Sequence, residues 1–107
     1  RQPRRLAFGR GPLPEGSELE LHSGPLDDEL RALAAEGVQS LLLEGGPTLA
    51  TAFFEADLVD KLLLFVAPIA GGEGPRFVDD SVQLDLSHFD IRSVGEDILM
   101  EAYVHRL

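Results

Sequence analysis

Two apolar runs on either side of a glycine turn constrain this chain more than any other feature. Val38 to Leu43, interrupted at Gln39-Ser40, and Lys61-Leu62-Leu63-Leu64-Phe65-Val66-Ala67 within the segment from Asp60 to Ile69, read as nearly unbroken apolar runs. Both are too short to stand as free helices and are typical of strands covered on both faces, as in parallel sheets. Between them lies Glu44-Gly45-Gly46-Pro47-Thr48, followed by Leu49, Ala50, Ala52 and Phe53 at helical spacing, with Pro47 suited to the first helical turn and Asp57 ending the helix. Strand, turn, helix and strand make a βαβ unit, expected to be right-handed, with Val38 to Leu43 as a central parallel strand.

The flanks extend this pattern. Arg4 to Phe8 reads as a short strand, and Gly9, Gly11, Pro12, Pro14 and Gly16 then break regular structure. Glu18-Leu19-Glu20-Leu21 alternates polar and apolar residues, which predicts a half-buried strand near a sheet edge, ended by Ser23-Gly24-Pro25. Leu26, Leu30, Leu33 and Ala34 fall on one helical stripe, Asp27 stands where it can cap or charge the N-terminus, and Gly37 occupies a C′ position. Gly71-Gly72-Glu73-Gly74-Pro75 must be a loop. Leu84 to Val94 and Asp97 to Arg106, joined at Gly95-Glu96, predict an antiparallel hairpin, with Ile98, Met100, Ala102 and Val104 on one face and Glu101, Tyr103 and His105 on the other. No repeat or linker divides the chain, so residues 1–107 are expected to form a single domain.

Composition narrows the class of function. With 107 residues, 44% of them hydrophobic, one small core is the ceiling, and folding at this length buries only about two thirds of the unfolded surface. Oligomerisation is therefore expected to help. Nineteen acids against nine bases, a net charge of −10, work against nucleic acid, whose phosphates need clustered Lys and Arg. The one basic run, Arg1, Arg4, Arg5 and Arg10, reads as a tail or strand edge. No apolar stretch approaches the ~20 residues that cross a bilayer. The absence of cysteine excludes disulfides and thiolate metal sites and fits a reducing cytoplasm. The chain starts without Met or an apolar signal region, as an excised or processed piece would.

Chemistry points to the glycine turn. A strand that ends in Glu44-Gly45-Gly46-Pro47-Thr48 and leads into a helix aims free backbone N–H groups and the positive end of the helix dipole at one spot, where an anion can bind. Glycine lets the backbone come within hydrogen-bond reach of a phosphate, and Thr48 adds a hydroxyl. Glycine pairs also serve merely to let a chain turn, and the spacing matches neither common nucleotide fingerprint. Glu44 lies where α/β sheets place ligands, although it can equally turn to solvent.

Ser40-Leu-Leu-Leu-Glu-Gly-Gly-Pro-Thr-Leu-Ala, Phe53-Phe-Glu-Ala-Asp-Leu-Val-Asp and Leu63-Leu-Phe-Val-Ala-Pro-Ile-Ala-Gly-Gly together resemble the C-terminal signature of the reductase domain of the bacterial riboflavin-biosynthesis deaminase/reductase family. The similarity runs over essentially the whole chain. It implies an α/β fold of the dihydrofolate-reductase-like kind, a mixed sheet flanked by helices, of which this chain is the C-terminal half ending in an antiparallel hairpin. It also implies NADPH-dependent reduction of 5-amino-6-(5-phosphoribosylamino)uracil to the ribitylamino product, and a homodimer. Carried over by position, Glu44 contacts the phosphorylated pyrimidine substrate, and Gly45, Gly46, Pro47, Thr48, Leu49, Ala50, Thr51 and Ala52 line the NADPH site. The family's first half of the reductase domain and its zinc deaminase domain have no counterpart here, so catalysis by this stretch alone is not expected.

Two other readings stay open: a non-catalytic module whose hairpin pairs with a copy of itself, and another dihydrofolate-reductase-like reductase acting on a folate or pterin-like substrate. Ser87-His88 beside Asp85 or Asp90 is set aside as a triad, because neighbours on one strand point to opposite faces. His22, His88 and His105 match no metal-ligand spacing. Asp27-Asp28 and Asp79-Asp80 belong most simply to a helix start and a turn, and Gly71 to Gly74 to a mobile loop before a cofactor contact.

Overall fold

The computed structural model describes residues 3–72, 74 and 76–106. Arg1, Glu73 and Pro75, assigned from sequence to a tail and a loop, lie outside the described residues, as does the side chain of His105. The chain divides into two compact units, Arg1–Glu44 and Gly45–Leu107.

In the first unit, β1 (Leu6–Phe8) and β2 (Glu20–His22) pair in parallel, Leu6 opposite Glu20 and Phe8 opposite His22. Helix α1 (Leu26–Ala35) follows. Its covered stripe is Leu26, Leu30 and Leu33, with Leu33 only 3% exposed; Ala34, expected on that stripe, is exposed. Asp27 charges the N-terminus rather than capping it: the cap position is Pro25, no side chain bonds there, and Asp27, Asp28 and Glu29 fill the first turn. The helix ends as Gly37 predicts. Gly37 takes φ +95, its N–H donates to the Ala34 carbonyl at 3.0 Å, and the Val38 N–H donates to Leu33 at 3.1 Å, which is the paired-bond helix stop that a left-handed residue permits.

The alternation in β2 is real, but the covered side is the polar one. Leu19 and Leu21 are 38% and 42% exposed, whereas Glu20 and His22 are half-buried. The reason is an ion-pair network. Arg4 forks onto Glu20, donating from Nη2 to Oε1 at 2.6 Å and from Nε to Oε2 at 3.0 Å, and reaches Glu36 at 3.1 Å. His22 Nδ1 lies 3.1 Å from Glu29 Oε2, and its ring rests on Phe8 with centroids 5.6 Å apart. The Arg4 hydrogen bonds hold the Glu20 carboxyl below the usual carboxylate range.

Val38 to Leu43 forms no strand, and the expected βαβ unit is not built. Leu41 and Leu42 are 38% and 74% exposed. An apolar run becomes a strand only where neighbours accept and donate its backbone bonds. Among the described residues none pairs with it, and the Val38 N–H is already used in closing α1.

The second unit opens with α2 (Pro47–Glu55), which places Pro47 at the first helical position as predicted. Phe53 and Phe54 are buried, at 2% and 6% exposure. Asp57 ends the helix in the left-handed region, φ +58, with its N–H on Phe54 and that of Leu58 on Phe53. An acidic residue thus does at α2 what Gly37 does at α1, because a short polar side chain tolerates this conformation.

Strand β3 (Lys61–Val66) then pairs antiparallel with β6 (Asp97–Tyr103), which pairs antiparallel with β5 (Phe89–Val94), giving the order β3-β6-β5. The second apolar run is thus a strand, but not one covered on both faces. Leu62 and Leu64 are half-buried, while Leu63 and Phe65 are 43% and 56% exposed, as befits the edge of an antiparallel sheet.

The hairpin β5–β6 turns at Gly95-Glu96 as expected. Val94 faces Asp97, Gly95 has φ +60 and Glu96 does not share a positive φ, which is a type II′ turn with glycine at its first central position. The expected arms continue into β4 (Leu84–Asp85) and β7 (His105–Arg106), paired antiparallel, but with an interruption. Phe89 faces Ala102 whereas Asp85 faces His105, so Leu86, Ser87 and His88 stand opposite only Tyr103 and Val104. One extra residue makes a bulge and ends the simple alternation.

Candidate functional site

The start of α2 differs from that of α1 in a way that matters for anions. Gly46 is the cap residue, with φ −76 and ψ 177; no side chain caps the helix, and no acidic residue lies in its first turn. The first amides of a helix have no intrahelical acceptor, so here the dipole's positive end is not offset by carboxylates of its own first turn. The first intrahelical bond runs from the Ala50 N–H to the Gly46 carbonyl at 3.1 Å.

The two glycines are not equivalent. A Cβ on Gly45 would lie 3.1 Å from Leu49 Cδ2 and 3.3 Å from Leu49 Cβ, so helix packing itself resists a side chain there. At Gly46 a Cβ would meet nothing within 4 Å, and the extended backbone suits any residue. The chain therefore has no internal need for glycine at position 46.

Beside this turn is a pocket of about 470 Å³ lined by Pro47, Thr48, Thr51, Arg76, Val78, Asp79 and Asp80. Its second wall is strapped to α2: the Asp79 N–H donates to Thr51 Oγ1 at 2.8 Å, and the Ser81 hydroxyl donates to Glu55 Oε1 at 2.9 Å. Asp79 Oδ1 accepts the Ser81 N–H at 3.0 Å, fixing the turn, and Arg76 pairs with Asp80.

Of the residues assigned from sequence, Pro47, Thr48 and Thr51 line this pocket, and Gly45 and Gly46 form the turn that leads into it. Leu49, Ala50 and Ala52 are half-buried on α2 and do not line it. Glu44 is exposed and is the last residue of the first unit. Sequence reasoning missed Arg76, Val78, Asp79 and Asp80. Asp79-Asp80 does belong to a turn, but no local signal tells that this turn meets a helix 28 residues earlier in the chain.

A second depression, about 500 Å³, lies at the bulge and is lined by residues including Lys61, Ser87, His88, Asp90, Glu101 and Tyr103. Its polar groups largely satisfy one another. Lys61 Nζ is 3.6 Å from Glu101 and 5.8 Å from the Tyr103 ring centre, and Arg92 donates to Glu101 at 3.2 Å. Asp85 accepts the Ser87 backbone N–H at 2.9 Å, which is a turn contact and not an activated hydroxyl. Among the described residues no group of three His, Asp or Glu is placed to hold a metal ion. The α2 pocket is the better candidate, because it adjoins the uncapped first turn of α2 and is lined by Thr48 and by an exposed Arg76.

Residues 19–100 match the family described as the RibD C-terminal domain. The riboflavin biosynthesis protein RibD of Mycobacterium tuberculosis H37Rv is 33% identical over 113 residues, covering 92% of this chain and 33% of that protein. The 2,5-diamino-6-ribosylamino-4(3H)-pyrimidinone 5′-phosphate reductase of Methanothermobacter thermautotrophicus is 34% identical over 80 residues, 67% of this chain and 37% of that one. This chain thus spans about a third of the length of these relatives. Among solved structures, RibD of Acinetobacter baumannii superposes with a TM-score of 0.78 at 20% identity, over 96% of this chain and 38% of its own. The fold is accordingly the mixed α/β fold of that RibD structure, with parallel and antiparallel pairing and a terminal hairpin, as expected from the sequence.

Proposed function

Because this chain belongs to the RibD C-terminal domain family, we propose that it is the cofactor-binding portion of a riboflavin-biosynthesis reductase that uses NADPH to reduce 5-amino-6-(5-phosphoribosylamino)uracil to its ribitylamino product. The observation that carries this reading is the uncapped, acid-free start of α2 behind Gly45-Gly46, opening on the pocket formed with Arg76 to Asp80. That a relative named as a pyrimidinone 5′-phosphate reductase shares 34% identity supports the substrate class.

When bound, NADPH supplies the hydride that opens the ribosyl ring. This chain's part is to bind and orient. The amides of Thr48 and Leu49 are placed to donate to a phosphate of the cofactor, and the Thr48 hydroxyl to add another bond. Thr51 acts at one remove: its Oγ1 holds the backbone of Asp79 and so keeps the pocket's second wall in place. Glu44, exposed just before the glycine turn, is assigned to the pyrimidine substrate by its position in the family pattern. Binding energy spent on holding two reactants in register is what this kind of site contributes to rate.

Titration of the folded chain with NADPH, followed by nicotinamide fluorescence, tests the reading. Saturable binding is expected. A folded chain that shows none would overturn the cofactor assignment and leave the non-catalytic module as the better account.

We also infer a homodimer. Val66, Phe89, Ile91 and Ile98, which the pairing register puts on one face of the β3-β6-β5 sheet, are 49%, 49%, 60% and 46% exposed, more apolar surface on one face than a small monomer usually shows to water. Sedimentation equilibrium at micromolar concentration should give twice the chain mass of 11.6 kDa; a single monomeric species would refute it.

A further inference from the structure

We propose that Arg76 is a side-chain contact to a phosphate of the nicotinamide cofactor, held on Asp80 until the phosphate displaces that carboxylate. The inference rests on the cofactor reading above and adds to it a residue outside the stretch assigned from sequence.

Position comes first. Arg76 lines the pocket whose other wall is the first turn of α2, through Pro47, Thr48 and Thr51. The turn that follows it is tied to α2 at two points, Asp79 N–H to Thr51 Oγ1 and Ser81 Oγ to Glu55, so the segment that carries Arg76 is held beside α2, whose first-turn amides are free. A phosphate drawn to those amides then has a planar, forked donor beside it, the geometry that binds phosphate through two parallel N–H bonds.

Availability comes second. Arg76 and Asp80 are both largely in water, at 73% and 76% side-chain exposure, and an ion pair so exposed is weak. Arg4 makes the contrast. It is engaged by two carboxylates at once, Glu20 and Glu36, and serves the first unit's own packing. Among the described residues Arg76 has a single, exposed partner, which a cofactor phosphate can replace.

The pocket's carboxylates give the inference its internal check. Asp79 is occupied by the Ser81 N–H, but Asp80 loses its partner when Arg76 turns to phosphate and then faces the anion. Removing the Asp80 charge should therefore improve binding, while removing the Arg76 fork should harm it.

The test is a fluorescence titration of the wild type, Arg76→Gln, Arg76→Lys and Asp80→Asn with NADPH and with NADH, circular dichroism confirming the fold of each. Arg76→Gln is expected to weaken binding about tenfold, the scale of a charge-assisted hydrogen bond. Arg76→Lys should fall between it and the wild type, and Asp80→Asn should bind a few-fold more tightly. A loss confined to NADPH assigns Arg76 to the 2′-phosphate, and an equal loss for both assigns it to the pyrophosphate; either supports the proposal. Wild-type binding that Arg76→Gln leaves unchanged overturns the proposal with the cofactor reading intact, whereas a wild type that binds neither nucleotide overturns both.

Discussion

Gly46→Val is expected to fold normally and to bind NADPH about ten- to a hundredfold more weakly than the wild type. The two halves of this expectation have separate causes. Folding survives because a Cβ at position 46 meets nothing within 4 Å and because φ −76 with ψ 177 is an ordinary extended conformation, comfortable for a β-branched residue. The cost to α2 is that of a poor cap residue, at most about 1 kcal/mol. Binding suffers because an isopropyl group would stand over the amides of the first turn, where a phosphate must approach to hydrogen-bond distance. Hydrogen bonds to a charged group contribute about 1.5–3 kcal/mol each, and losing one accounts for the stated range. The measurement is a fluorescence titration run beside a denaturant midpoint for the same preparation. Equal affinity in the two proteins would show that the phosphate site lies elsewhere. Gly45→Val makes a useful contrast, since its clash is with Leu49 and its first effect should be on stability.

Phe53→Ala is expected to cost about 3–5 kcal/mol of stability, a large share of the total. A domain of this size has only about 5–15 kcal/mol in hand. Phe53 is 2% exposed, and its ring fills space on the covered side of α2 that an alanine would leave empty. Phe65→Ala removes the same side chain from a position that is 56% exposed and should cost about 1 kcal/mol or less. Urea midpoints of the two variants, at a common slope, check the difference. Similar midpoints for both would mean that α2 is not part of the second unit's core.

Features written in a few adjacent residues came through the sequence reading intact. Pro47 starts α2 because its missing N–H and preset φ suit that place, Gly37 stops α1 because it takes φ +95, and Gly95-Glu96 turns the last hairpin because glycine takes φ +60 there. The glycine turn ahead of α2 was legible for the same reason. Its ingredients, two glycines and a helix start, are contiguous. What failed were the inferences about how strands are paired and covered. Val38 to Leu43 and Lys61 to Ala67 both read as buried strands, yet among the described residues one is unpaired and the other is an antiparallel edge. Leu19 and Leu21 look like the buried side of β2, yet Arg4, 16 residues before Glu20, and Glu29, 7 residues after His22, draw Glu20 and His22 under cover instead.

By itself, then, the sequence determined the local conformations of this protein: where helices start and stop, where the hairpin turns, and which amides stand free at the head of α2. Each is set by steric limits on φ or by hydrogen bonds closed within a few residues. The tertiary structure alone decided which strands pair, which face of each is covered, and that Arg76 and Asp79 complete the pocket beside Thr51. Those outcomes depend on which distant groups are at hand to take a backbone bond, a charge or an apolar face, and side-chain composition along the chain does not carry that information.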